Sequence, residues 1–148
     1  MAIYMSVKGT QQGVMTGGVT SGNYKGQILV NSVHFSMGHP VNSNTGLTTG
    51  KQVAKPVVVS KPTDMSSPLL LSSCQNNENL TTVMITYVFE GALNKAVSTT
   101  KLTNATVQDF DHKAQSDGSS VETVTFSYQK CEFTWIDGGI ATAWDLTL

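Results

Sequence analysis

The sequence predicts a mainly β domain interrupted by one short helix. Ser, Thr, Asn and Gly are abundant while Leu and Glu are scarce, and β-branched residues recur in short alternating runs, as half-buried strands require. A single stretch, "KPTDMSSPLLLSSC" at 61–74, instead carries helix-start signals. At 148 residues the chain is read as one domain, 1–148.

The elements follow in order. "AIYMSVKG" alternates Ile3, Met5 and Val7 as a first strand, and the Gly-rich stretch 13–22 reads as a loop. "YKGQILVNSVHFSMG" is a second strand whose apolar positions are Ile28 and Val30, then Val33, Phe35 and Met37. This change of parity near Asn31–Ser32 marks a bulge or a change of sheet. "HPVNSNTGLTTGKQVAK" is too polar to bury and long for a connection, so it is either disordered or used to touch something. "PVVVSKP" is a short strand ended by Pro62.

In the helical stretch, Ser66 or Ser67 can cap free N–H groups and Pro68 suits the first helical position. Asp64 lies near the positive end of the dipole, Leu69–Leu71 supply the apolar face, and "QNNEN" stops the helix. At about two turns it is too short to stand alone and must dock.

"LTTVMITYVFEG" places Val83, Ile85, Tyr87 and Phe89 on one face, with Met84 and Val88 on the other. "AVSTTKLTNATVQDFDH" is extended and divided at Asn104, and "DHKAQSDGSS" is a polar turn. "VETVTFSYQKCEFTWIDGG" alternates Val124, Phe126 and Tyr128, then Cys131, Phe133 and Trp135, with parity flipping at Gln129–Lys130. "IATAWDLTL" is the last strand, and about seven or eight short strands indicate a barrel or sandwich.

The charge pattern excludes several functions. All nine basic residues are Lys, and the net charge is −1, so no Arg fork or basic run is available for nucleic acid. The longest apolar run, Met84–Phe89, is too short to span a bilayer, so no membrane insertion is expected. "MAIYMSVKGTQQ" lacks a basic segment followed by an apolar one, so synthesis in the cytoplasm without a signal peptide is expected. Cys74 and Cys131 read as buried reduced side chains rather than a disulfide.

Catalytic signals are missing from the pattern. His34 and His39 are five apart and read as surface or interface residues, not metal ligands. His112, adjoining Asp109 and Asp111 in a turn, reads as solvated rather than catalytic. "GLTTGKQ" has one residue too few between its glycines for a phosphate loop and Gln52 where Ser or Thr should hold magnesium. Glu78, Glu90, Glu122 and Glu132 are scattered, and no GxSxG occurs. The strand aromatics Tyr87, Phe89, Phe126, Tyr128, Phe133 and Trp135 read mostly as core, with a sugar-stacking platform as the alternative. The expectation is no enzyme and no cofactor.

Four segments in order, "KPTDMSSPLLLSSCQNN", "VSTTKLTNATVQDFD", "VETVTFSYQKCEFTW" and "AWDLTL", together with the start "MAIYMSVKG", resemble the haemolysin-coregulated protein (Hcp) family of type VI secretion. The resemblance implies a mainly β fold: a two-sheet antiparallel β-barrel with one short flanking α-helix at about residues 67–75. It further implies a homohexameric ring that stacks into the inner tube of a contractile injection apparatus. That tube is expelled into a target cell. Implied partners are further copies of the chain, the sheath and spike components, and effector proteins carried in the lumen. In the family an extended loop contacts neighbouring subunits or rings; the candidates here are Asn42, Asn44, Leu47 and Lys51, with an ordinary mobile loop as the other reading.

If Val33, Phe35 and Met37 enter the core, Ser32, His34 and Ser36 point the other way and could line the channel. An outer-surface or intersubunit position is the alternative for them. Two other function classes stay open on residues alone: a monomeric β-sandwich binding module for carbohydrate or adhesion, and a small hydrolase with an unrecognised site.

Overall fold

The computed structural model describes residues 2–20, 22–50, 52–88 and 96–146; among these the chain forms twelve strands and one helix. In β1 (Ala2–Gly9), Ile3, Met5 and Val7 are buried and the alternate residues are not, as the alternation predicts. β1 pairs antiparallel with β2 (Gly13–Val14), β3 (Ile28–Val30) and β8 (Leu80–Val88). β8 in turn pairs with the first half of β9 (Ala96–Ala114). That half also pairs with β11 (Lys130–Trp135), and β11 with β12 (Ile140–Asp145). These strands make the first layer.

The second layer is built on the other half of β9, followed by β10 (Ser120–Ser127), β7 (Val57–Lys61) and β4 (Ser32–His34). Between the layers lies one apolar cluster that includes Met5, Ile28, Val83, Ile85 and Leu102 from the first and Val57, Val59, Val124 and Phe126 from the second. A separate two-stranded pairing joins β5 (Met37–Gly38) to β6 (Val53–Ala54).

The layers are joined by the chain itself. The segment 28–34 runs from β1 to β7, changing partner at Asn31, whose N–H donates to the Ser60 carbonyl at 2.7 Å. This is the change of sheet that the shifted parity predicts. β9 crosses at Asn104, which adopts φ 52°. Asn tolerates that left-handed conformation better than most residues. There the Asn104 side-chain amide donates to Gln129 Oε1 at 2.7 Å, beside a further crossing at Tyr128–Gln129, where β10 passes into β11.

Several expectations are corrected. The Gly-rich stretch is no simple loop: Met15 is buried and Gly17 lies so close to the segment behind it that a Cβ would sit 2.5 Å from Ile28 Cα. Only Gly fits that approach. The second strand breaks into three short ones and brief pairings add others, giving more strands than the seven or eight expected. β9 runs on through Ala114, so the 111–114 part of the expected turn is strand. In β8 a bulge at Tyr87/Val88 shifts the register, which buries Val88 and leaves Tyr87 half-buried. Phe89, expected on the same face, lies outside the described residues, as does Glu90.

The helix α1 (Ser67–Asn76) forms where predicted and ends on Asn77 at φ 50°, whose N–H reaches the Ser73 carbonyl. Its start differs in chemistry. Ser66 makes no side-chain cap; its hydroxyl instead bonds the Asp64 carboxylate, and the Ser66 N–H donates to Asp64 Oδ1 at 2.9 Å. Of the three leucines only Leu70 is fully buried, while Leu71 stays 45% exposed. The docking stripe is Ser67, Leu70 and Ser73, at successive spacings of three.

Candidate functional site: assembly surfaces

Two buried carboxylates hold the helix in place. Lys61, Glu122 and His112 face one another across β7, β10 and β9 in a single inward row. Lys61 and Glu122 are essentially without solvent exposure, and Lys61 Nζ lies 2.8 Å from Glu122 Oε1 and 3.2 Å from Asp64 Oδ1. Ser67 of α1 completes the cluster: its hydroxyl donates to Glu122 Oε1 at 2.5 Å and accepts from Lys61 at 3.0 Å. His112 stays solvent-exposed, as the sequence reading expects, yet its Nδ1 also lies 2.7 Å from Glu122 Oε2.

At the other end of α1, Glu78 is equally buried. Its Oε2 accepts the backbone N–H groups of Gln11 and Gln12 at 3.0 Å each, and its Oε1 accepts Gln12 Nε2 at 2.9 Å. This anchors the β1–β2 turn to the helix end.

Burial by itself would raise both carboxyls. At Glu122 the hydrogen bonds from Lys61, Ser67 and His112 outweigh it, and at Glu78 those from Gln12 and Gln11 do, so each is held below its ordinary value of 4.5. A folded-state pKa below the unfolded one gives stability that is complete above the unfolded value and lost as pH falls through the folded one. The melting temperature is therefore expected to be flat from neutral pH to about 5 and to drop below it. A Glu78→Gln, Glu122→Gln double variant should lack most of that acid-side slope in circular-dichroism melts. An unchanged slope would show that other groups govern acid stability.

The polar loop is an ordered arm. Val41 bridges to Thr48, Asn42 N–H donates to the Leu47 carbonyl at 2.8 Å, and Thr49 N–H to the Pro40 carbonyl at 2.7 Å. Asn42 shapes the tip, its Oδ1 accepting the Asn44 N–H at 2.9 Å. Asn44 is exposed, and Leu47 stands at the tip 68% exposed. Lys51 lies outside the described residues.

On β4 the predicted alternation holds in part. Ser32 and His34 are exposed, while Val33 and Phe35 pack against the core. Ser32 stands in register with Ser60, Thr123 and Asp111, and His34 with Val58, Thr125 and Asp109, so they share the outward face of the second layer. Met37 departs from the expected inward set and is 40% exposed, and Ser36 is half-buried beside it. His34 and His39 are both exposed, and among the described residues no group of three or more His, Cys, Asp or Glu could hold a metal ion.

A further surface escaped the sequence reading. Phe133 and Trp135, taken there as core, are 37% and 42% exposed. Their parity is inward, continuing from the fully buried Cys131, but among the described residues they are only partly covered. Phe35, Ser36, Met37, Phe133, Thr142 and Trp144 line an apolar hollow of about 390 Å³. Its aromatic wall is rigid: Phe35 lies 5.6 Å from Phe133 and 6.0 Å from Trp144 between ring centroids, and the Trp144 Nε1–H donates to the Tyr128 hydroxyl at 3.1 Å. No single-residue signal marks this surface; only the alternation carried past the core's edge does.

Cys74 and Cys131 are both free thiols; Cys131 is buried as expected while Cys74 is only half-buried, and burial pushes the Cys131 thiol up to about 12, leaving it inert.

The comparisons agree with one another. The chain is 33% identical to the "Major exported protein" of Pseudomonas aeruginosa, over 88% of this chain and 87% of that protein. Among solved structures, it superposes on the Hcp1 protein from the E. coli EAEC 042 pathovar, in a two-site variant, with a TM-score of 0.89 at 23% identity, over 98% of each chain. It also superposes on the secreted protein Hcp3 from Pseudomonas aeruginosa, with a TM-score of 0.79 at 29% identity, over 97% of this chain and 98% of that one. Residues 4–135 match the family described as "Type VI secretion system effector, Hcp", so the chain belongs to the Hcp family of type VI secretion proteins.

Proposed function

We propose that this protein is the ring subunit of a type VI secretion tube. Six copies close into a ring, rings stack into the inner tube, and the tube is expelled toward a target cell with effector proteins in its lumen. The observation that carries the reading is the family match over residues 4–135, joined to a relative known as a major exported protein. The family is structural rather than enzymatic, so the surfaces above are read as contacts and not as a catalytic site.

The physical features support this assignment. A ring needs heterologous contacts, in which one face of a subunit meets a different face of the next. The exposed arm at 40–49, with Asn42, Asn44 and Leu47, serves as one such face. The outward side of the second layer, with Ser32, His34, Ser60, Thr123 and Thr125 beside Asp109 and Asp111, is largely polar, which suits a wet channel wall. We assign Ser32 and His34 to that wall, with Ser36 at its margin beside the hollow. Sheath, spike and effector proteins are the partners this role requires.

Electron microscopy and native mass spectrometry of the purified protein test the proposal. Hollow six-fold rings and a six-subunit mass are expected. A strictly monomeric species at every concentration would overturn it, and a saturable glycan complex of that monomer would favour a binding module instead.

A further inference from the structure

The chain leaving β1 runs back along α1 as a strap. At its start, Gln12 Nε2 lies within 3.0 Å of the Leu69 carbonyl, the Ser73 hydroxyl and Glu78 Oε1, toward the C-terminal end of the helix. Six residues later the Gly18 N–H donates to Asp64 Oδ2 at 3.2 Å, ahead of the helix N-terminus. Between these ends only Met15 and Gly17 are buried, while Val14 is 64% exposed. One buried side chain therefore holds the middle of the strap, and the glycines at 13, 17 and 18 add none. A segment with so little buried apolar surface opens locally at far lower cost than the sheets behind it.

Glu78 fastens the near end. Its Oε2 accepts the N–H groups of both Gln11 and Gln12, and its hydrogen-bond partners among the described residues are all neutral donors. Glu122 differs, because Lys61 stays beside it whatever the neighbouring chain does. When the strap lifts, Glu78 loses its donors but meets water, and hydration of the carboxylate offsets much of that loss. Glycines stand where the chain must turn. Gly9 is pressed so close to Glu78 that a Cβ there would collide with the carboxylate. At the far end the N–H groups of Gly17 and Val19 donate to the Gly26 and Gln27 carbonyls at 2.9 and 3.1 Å, which ties down the chain that follows.

We propose that residues 10–16 form a latched strap that lifts from α1 and β1 as one unit, with Glu78 as its latch and Met15 as its plug, while both sheets stay folded. Lifting bares the β1 edge from Val7 to Gly9. In the closed form that edge is covered by the Met15 N–H on the Val7 carbonyl at 2.9 Å and by the pairs Lys8–Val14 and Gly9–Gly13. The other edge of β1 keeps its pairing with β8, and Ile3 to Met5 keep theirs with β3. The strap stands apart from the ring-subunit reading and needs no second copy.

Methionine oxidation reads the motion in the intact protein, because hydrogen peroxide passes one oxygen to an accessible sulfur and leaves as water. Met5 and Met15 are equally buried, at 0% and 1%, so a rigid fold oxidises them at the same rate. The strap instead predicts Met15 sulfoxide forming at least tenfold faster than Met5 sulfoxide at pH 7, by peptide mass spectrometry. Glu78→Gln keeps the shape but removes the charge that two N–H groups share. It should raise the Met15 rate a further tenfold and leave Met5 unchanged. Glu122→Gln also loosens α1 and is the control; it should move Met15 no more than Met5. Equal rates for Met15 and Met5 in the unaltered chain, or a Glu78→Gln effect shared by both, would overturn the strap. Should Glu78→Gln fail to fold, hydrogen exchange of the unaltered protein decides. The N–H groups of Gln11, Gln12 and Met15, all hydrogen-bonded in the closed form, should exchange at least tenfold faster than those within β8. Equal protection would overturn the proposal.

Discussion

Replacing Glu122 with alanine is expected to destabilise the subunit by about 3–5 kcal/mol, the cost of leaving a buried charge without its partner. Lys61 has no solvent exposure, and its ammonium depends on Glu122 Oε1 at 2.8 Å, with Asp64 and Ser67 as lesser partners. Removing the carboxylate also strips Ser67 of the acceptor that fastens α1 to β10. For a chain of this size the melting temperature should fall by roughly 10 °C. The contrast is a Lys61→Met, Glu122→Leu double variant, which removes both charges and should recover most of the loss. If Glu122→Ala costs less than about 1 kcal/mol, the pair behaves as a surface ion pair and its burial is not the governing fact.

Leu70→Ala is expected to cost about 2–5 kcal/mol, since a fully buried leucine is truncated where rigid sheet surrounds it. The neighbouring Leu71, 45% exposed, is the internal control, and Leu71→Ala should stay within about 0.5 kcal/mol. Alanine favours helix at both positions, so intrinsic helix formation cannot account for a difference between them. Urea titration of the two variants reads the contrast directly. Equal effects would mean that α1 is held by its polar contacts with Glu122 and Glu78 and not by Leu70.

How far these features could be read from the chain depends on which interactions are local. Ile3, Met5 and Val7 announce a half-buried strand because alternation is a property of neighbours. The Asn31 crossing is legible for the same reason, since a change of sheet must change which parity is apolar. Lys61, Glu122 and His112 are not legible: each is a residue type that normally faces water, and only the register of three strands brings them together. Ser66 looks like a cap because serine just ahead of a first turn that holds proline favours one, but the Asp64 carboxylate two residues away captures its hydroxyl. Phe133 and Trp135 alternate in step with Cys131, yet periodicity gives a side and not a cover. How far each is covered is decided by elements elsewhere in the chain.

The crossings of the backbone between layers at Asn31, Asn104 and Tyr128–Gln129 bear on how the subunit carries load. Two sheets held only by side-chain packing can slip past each other along a greased plane. Here extended chain passes directly from one layer to the other at three places, and α1 carries it across again between β7 and β8, so sliding would require the main chain itself to stretch. Yielding is left to the outermost ladders, where a strand such as β12 can peel away one bond at a time. Under the proposed ring-subunit role, a wall of such pieces is expected to be stiff in its body and to yield at its seams.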